Sequence, residues 1–239
     1  MLELKNLSFS APEGKEIIEN LNLTVSDGKT IVITGPNGSG KSTLAKLIAG
    51  VYQPDEGQIL LDGEDITTLD ITERARRGIS FGFQRPVCFK GFTVRDLLEV
   101  AAGHALSETE IKVLLGQVGL CMQDYAAREL NSSLSGGEQK RIEIAGILAR
   151  NTRLNLFDEP EAGIDIWSFQ KLIDVFRTLG KNRHAAQIII SHQKGIMTIA
   201  DEVLILCGGR IVNRGRPDEL LPHLFGKNAE SCPVGRRCH

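Results

Sequence analysis

Two kinds of hydrophobic pattern share this chain. In Leu2-Glu3-Leu4-Lys5-Asn6-Leu7-Ser8-Phe9 apolar and polar residues alternate, and Ile59-Leu60-Leu61 with its Asp62-Gly63 turn reads similarly. A period of two predicts strands of an antiparallel sheet with one covered face. Ile31-Val32-Ile33, Leu154-Asn155-Leu156-Phe157 and Gln187-Ile188-Ile189-Ile190 are instead short, nearly continuous apolar runs, each followed by polar residues and a helical pattern. Such runs predict strands buried on both faces of a parallel sheet, and hence an α/β fold. Between residues 85 and 131 the strand signal gives way to helical stretches over 93–102 and 108–118, with Val94, Leu97, Leu98 and Ala101 at helical spacing. After Val203-Leu204-Ile205-Leu206, the pair Gly208-Gly209 predicts a tight hairpin.

The expected organisation is an α/β core with an antiparallel β subdomain over 1–84 and 132–226, and an inserted helical subdomain over 85–131. Residues 227–239 are aperiodic and are expected to form a mobile tail.

Composition narrows the function classes. The chain has 239 residues, with 28 Lys and Arg against 30 Asp and Glu, a formal charge of -2. No global basic field exists to hold a nucleic acid or an anionic membrane, so any phosphate binding must be local. The apolar runs stop far short of the roughly 20 residues a spanning helix needs, so no direct membrane insertion is expected. The start Met-Leu-Glu-Leu-Lys-Asn-Leu lacks the features of a secretory signal, which places the expected location in the cytoplasm. Five irregularly spaced cysteines read as reduced thiols, with Cys88, Cys121 and Cys207 as small buried hydrophobes.

The most specific motif is Gly35-Pro36-Asn37-Gly38-Ser39-Gly40-Lys41-Ser42, which follows the buried run at 31–34 and opens a helix at Thr43. This is the phosphate-loop pattern in its strand-loop-helix setting. Glycines let successive backbone N–H groups turn inward as an anion nest, and the helix start adds partial positive charge. Lys41 is assigned to the β- and γ-phosphates and Ser42 to Mg²⁺, so ATP and Mg²⁺ are the expected ligands.

A further strand end faces the same crevice. Phe157-Asp158-Glu159-Pro160 closes a buried run with adjacent carboxylates. Asp158 is the candidate for the Mg²⁺ shell and Glu159 the candidate acceptor of a proton from attacking water. A second anion-binding element is Leu134-Ser135-Gly136-Gly137-Glu138, where Ser135 is a plausible N-cap and Gly136 and Gly137 would let a phosphate approach. One chain has no obvious need of two cradles for one nucleotide, which points to a partner chain.

The phosphate loop, this Ser-Gly-Gly signature, the Asp158-Glu159 pair and His192, in that order, resemble an ATP-binding cassette (ABC) ATPase from the start of the chain to about Gly215. The resemblance implies that two copies meet head to tail in the presence of ATP, with Ser135, Gly136 and Gly137 completing the partner's site. It also implies that Gln84 senses Mg²⁺, that His192 senses the γ-phosphate, and that Asp165 touches the opposite subunit. Glu159, His192, Lys41 and Gln84 are then the catalytic set. The aromatic that stacks on adenine in transporter ATPases is replaced here by Ser10-Ala11-Pro12, with Phe9 nearby.

Gly163-Ile164-Asp165-Ile166 and Phe83-Gln84-Arg85-Pro86-Val87 are similar to the SufC group of ABC ATPases, which serve iron-sulfur cluster assembly. That resemblance implies a SufB-like scaffold partner, alone or with a SufD-like one. The alternative is the ATP-binding subunit of a membrane transporter. A non-catalytic nucleotide regulator is disfavoured by the presence of both Glu159 and His192. Cys232, Cys238 and His239 could contact a metal or cluster, but three ligands at a chain end fall short of a closed tetrahedral set.

Overall fold

The computed structural model describes residues 1–84, 89–131, 133–181 and 184–225. Arg85, Pro86, Val87, Cys88, Cys232, Cys238 and His239, all invoked above, lie outside them.

In chain order the elements are β1 (Leu2–Ser10), β2 (Glu16–Val25), β3 (Thr30–Thr34), α1 (Lys41–Ala49), β4 (Glu56–Leu61), β5 (Glu64–Asp65), α2 (Ile71–Arg76) and β6 (Ile79–Gly82). Then come α3 (Val94–Ala102), α4 (Glu108–Gln117), α5 (Met122–Tyr125), α6 (Gly136–Arg150), β7 (Leu154–Asp158) and α7 (Ile166–Gly180). The chain closes with β8 (Ala186–Ile190), α8 (Lys194–Met197), β9 (Glu202–Cys207), β10 (Arg210–Gly215) and α9 (Pro217–Phe225).

The alternating and continuous patterns sort into two sheets. A four-stranded antiparallel sheet runs β2-β1-β4-β5, and a six-stranded sheet runs β10-β9-β3-β8-β7-β6, parallel except for the β9–β10 hairpin. Every residue of β3, β7 and β8 is buried, as expected of strands covered on both faces. Neighbouring side chains still part company. Ile31 and Ile33 join α1 and the antiparallel sheet in one core, whereas Val32 joins Phe157, Ile189 and the helices α3, α4 and α6 in the other. The helix α1 is thus packed between the two sheets, which fixes the loop that precedes it.

The C-terminal carbonyls of α1 have an unusual partner. Arg74, fully buried, donates Nη1 to the carbonyls of Leu47 (2.6 Å) and Ile48 (3.0 Å), Nε to Leu69 (2.9 Å) and Nη2 to Thr67 (2.6 Å). At the end of α1 the Leu47 carbonyl also accepts from the Gly50 N–H at 3.2 Å, and the Arg74 bonds complete that end and tie it to the segment at 67–69. Burial lowers the guanidinium to about 10, which leaves it charged at neutral pH. Arg74→Met takes this donor from the buried Ile48 carbonyl and from the part-buried Thr67 and Leu69 carbonyls, and we expect it to cost about 3 kcal/mol in a urea unfolding titration.

One cysteine departs from expectation. Cys121 is exposed, not buried, because it stands at the N-terminal edge of α5 and its Sγ donates to Gln123 Oε1 at 3.0 Å. Cys207, by contrast, is buried in β9, in line with its reading as a small hydrophobe. Among the described residues, no helix is long and apolar enough to cross a membrane.

Candidate active site

The phosphate loop connects β3 to α1. Gly35 has φ +146°, and a Cβ there would lie 1.9 Å from the Leu206 carbonyl, so only glycine lets the loop pass the end of β9. The helix α1 has no side-chain N-cap and no acidic residue in its first turn. By contrast α2, α3, α4 and α6 each carry a reciprocal capping box. The orphan amides and the dipole of α1 are therefore left for an anion. Ser39 Oγ is buried and, among the described residues, has no hydrogen-bond partner. Lys41 Nζ donates to the carbonyls of Gly35 and Pro36, both at 2.8 Å, which folds the ammonium back over its own loop. Burial pushes Lys41 below the usual lysine range, opposed by Glu159 and Asp158. The features together fit a triphosphate.

Opposite the loop, β7 delivers the acidic pair. Asp158 is the last residue of β7 and is buried, and Ser42 Oγ donates to its Oδ1 at 2.9 Å. Burial raises the Asp158 carboxyl, with the Ser42 bond acting the other way. A buried carboxylate beside a hydroxyl is a hard oxygen donor set suited to Mg²⁺. Glu159 leaves the sheet in the left-handed region, at φ +47°, with its N–H donating to the Ile190 carbonyl at 3.0 Å. For a residue with a side chain this costs about 1–3 kcal/mol and persists where the surroundings over-determine it. The break in strand geometry is what allows adjacent carboxylates to serve one crevice. Gln84 Nε2 donates to Glu159 Oε2 at 2.6 Å, so Gln84 engages the carboxylate after β7 instead of the Ser42–Asp158 pair.

His192 lies two residues beyond β8. Burial lowers its imidazole below the usual histidine range, the Lys41 charge lowers it further, and Glu159 opposes both. At neutral pH the ring is therefore uncharged. We expect an NMR titration of His192 to show a midpoint below 6.5 that rises in Lys41→Ala but stays depressed, since burial is the larger cause. An unmoved midpoint would show that the two side chains do not share a crevice.

The Ser-Gly-Gly element caps α6. Ser135 Oγ accepts from the Glu138 N–H at 3.3 Å, and Glu138 Oε2 accepts from the Ser135 N–H at 2.7 Å. Tyr125 from α5 donates to Glu138, and Arg128 approaches it at 3.5 Å. The Tyr125 bond is the main reason that Glu138 is lowered to about 2. This cap thus survives acidification through the ordinary carboxylate range and fails only as pH falls towards 2. A Cβ at Gly137 would lie 2.9 Å from the Gly163 carbonyl, so the signature and the Gly163-Ile164-Asp165 loop touch. Asp165 Oδ1 accepts from the Ser168 N–H at 2.9 Å, fixing the start of α7.

Sequence reading missed Lys140 and Glu143. Both backbone groups of Phe83, the neighbour of Gln84, are held by this pair: Lys140 donates to the carbonyl, and Glu143 accepts from the N–H at 3.0 Å. Lys140 is buried and lies 3.1 Å from Glu143. The available signal was a Lys and a Glu three apart on the otherwise apolar face of Ile144 and Ile147. Phe9 is the aromatic beside the Ser10-Ala11-Pro12 stretch. It is half-buried and stacks on Tyr52, at 5.4 Å between centroids, with Lys46 over the Tyr52 ring at 5.5 Å. Away from the phosphate loop, a groove of about 720 Å³ opens between the core and α3, lined by Phe81, Phe83, Phe89, Leu97, Ile142 and Glu143.

Comparison with known proteins decides the family, since the model described as ABC transporter matches residues 18–162. The chain belongs to the ABC transporter family. It is 38% identical over 214 residues to an uncharacterized ABC transporter ATP-binding protein, MJ0035, of Methanocaldococcus jannaschii, covering 86% of this chain and 85% of that one. It is 34% identical over 230 residues to the probable ATP-dependent transporter ycf16 of Cyanidium caldarium, covering 90% of each. The solved dimeric, post-hydrolysis structure of the ATP-binding cassette MJ0796 bound to ADP and Pi superposes with a TM-score of 0.81 at 25% identity, covering 91% of this chain and 99% of that one. The α/β fold is that of the ABC cassettes. As an ABC ATPase the protein binds ATP with Mg²⁺ and hydrolyses it.

Proposed function

We propose that this ABC ATPase is the ATP-driven subunit of a membrane transporter, and that it hydrolyses ATP between two of its copies. The observation that carries the site assignment is the convergence of Ser42–Asp158 and Gln84–Glu159 beside Lys41 and His192. Backbone amides of residues 35–40 and the Lys41 ammonium hold the phosphates. Ser42 and Asp158 would hold Mg²⁺, with Gln84 beside them on Glu159, and the ion would neutralise charge on the phosphate oxygens. Glu159 accepts the proton of the attacking water, and Gln84 orients that carboxylate. Neutral His192 donates a hydrogen bond to the γ-phosphate. Ser135, Gly136 and Gly137 of the second copy close the site, a reading supported by the dimeric form of the MJ0796 cassette.

The relatives MJ0035 and ycf16, an ABC transporter ATP-binding protein and a probable ATP-dependent transporter, favour transport. The apolar groove beside Phe83 offers a place for the partner, and Lys140 with Glu143 links that wall to Gln84. The iron-sulfur scaffold reading, with a SufB-like and SufD-like partner, is the second one and rests on the run Gly163-Ile164-Asp165-Ile166. The experiment is purification of the complex from its native source under mild detergent. Stoichiometric recovery with an integral membrane protein is expected. Recovery with a soluble scaffold, and none with membranes, overturns transport in favour of the second reading.

A further inference from the structure

Glu161 takes no part in the scheme above, although it stands between two of its groups. It lies on the turn that leaves β7, and Glu159 is close enough to act on it electrostatically. Its Oε1 accepts from Ser191 Oγ at 2.5 Å, and the nearby His192 backbone N–H acts to lower its carboxyl against the larger effect of burial. Ser191 Oγ accepts in turn from the Gln193 N–H at 3.0 Å. One carboxylate therefore gathers residues 191–193, whose middle member is His192.

This tie takes over where the sheet stops. The bond from Ser191 N–H to the Ile33 carbonyl, at 3.2 Å, is the last that joins this segment to a neighbouring strand. His192 is carried past that point on a short link to α8. The arrangement is also costly, because Glu161 Oε2 is shielded from solvent and, among the described residues, makes no hydrogen bond. A buried carboxylate beside another carboxylate lowers stability compared with a neutral residue of the same shape. The hydrogen bond from Ser191 offsets part of that cost, and it leads to the turn that carries His192.

We propose that Glu161 is a positioning residue for His192: it holds the 191–193 turn so that the imidazole faces the γ-phosphate, and it couples this turn to the one that carries Glu159. The inference rests on the γ-phosphate role given to His192 under the proposed function. Steady-state ATPase kinetics of Glu161→Ala, His192→Ala and the double variant test the two separately. For Glu161→Ala we expect kcat to fall about tenfold, since misplacing a reacting group is expensive, while KM for ATP stays within about twofold. Glu161→Gln keeps an acceptor for Ser191 and should recover most of the loss. The double variant should be no slower than His192→Ala, because the first residue acts through the second.

If His192→Ala is impaired while Glu161→Ala turns over like the parent, or if the two losses multiply, the positioning role is overturned and the His192 role stands. Parental turnover by His192→Ala overturns the reading on which the inference rests. Should Glu161→Ala fail to fold by circular dichroism, Ser191→Ala carries the test, since it removes the same bond from the other side. Parental kcat in Ser191→Ala would then overturn the proposal.

Discussion

Glu159→Gln is expected to bind Mg-ATP normally and to hydrolyse it about 10²–10⁴-fold more slowly, the range typical for removing a positioned general base. The substitution is nearly isosteric. Gln84 Nε2 can still donate to the amide oxygen, so the 2.6 Å contact and the left-handed turn at residue 159 survive. What disappears is the site that accepts a proton from water. Because the intact triphosphate is what the two copies hold between them in the proposed site, the variant should also accumulate as an ATP-bound dimer. Size-exclusion chromatography with and without Mg-ATP, alongside phosphate release, checks both effects. A monomer with parental turnover would remove Glu159 from the mechanism.

The second large effect concerns the shared site. Lys41→Ala removes a charge-assisted contact to the phosphates and should weaken nucleotide binding about 10–100-fold. Ser135→Arg leaves the phosphate loop intact but puts a bulky cation where the partner's nucleotide should be capped, and it removes the Oγ that accepts from the Glu138 N–H, while the backbone N–H of residue 135 can still donate to Glu138. Either variant alone is expected to lose about 10² or more in turnover. Mixed together, they form dimers in which the intact loop of the Ser135→Arg copy meets the intact signature of the Lys41→Ala copy, restoring one site. Recovery of ATPase activity on mixing is the expected result. Two folded variants that bind each other and stay inactive would contradict a site built from two chains.

The two predictions draw on features of different legibility. Lys41, Ser42, Ser135, Asp158, Glu159 and His192 stand out along the chain because each sits at the end of an apolar run or the start of a helix, where local chemistry sets both the backbone and the exposed groups. Gln84 has no such local mark, and its bond to Glu159 spans 75 positions. Lys140 and Glu143 were hidden for the opposite reason. On a helix that reads as apolar they look like solvated charges, and only the packing of α6 against β6 shows that both serve Phe83. Cys121 reads as a small hydrophobe, yet its place at a helix start exposes it.

The amino-acid order by itself determined the α/β class, the phosphate loop and the chemistry it can hold, because strand periodicity, glycine permissiveness and helix-start amides are local properties. It also placed the acidic pair at a strand end. The tertiary structure alone decided that Gln84 rests on Glu159, that Arg74 closes the end of α1, and that Glu161 reaches the turn of His192. These contacts join residues far apart in the chain, and burial decides which polar groups must find each other, a constraint that exists only once the two sheets have packed around α1.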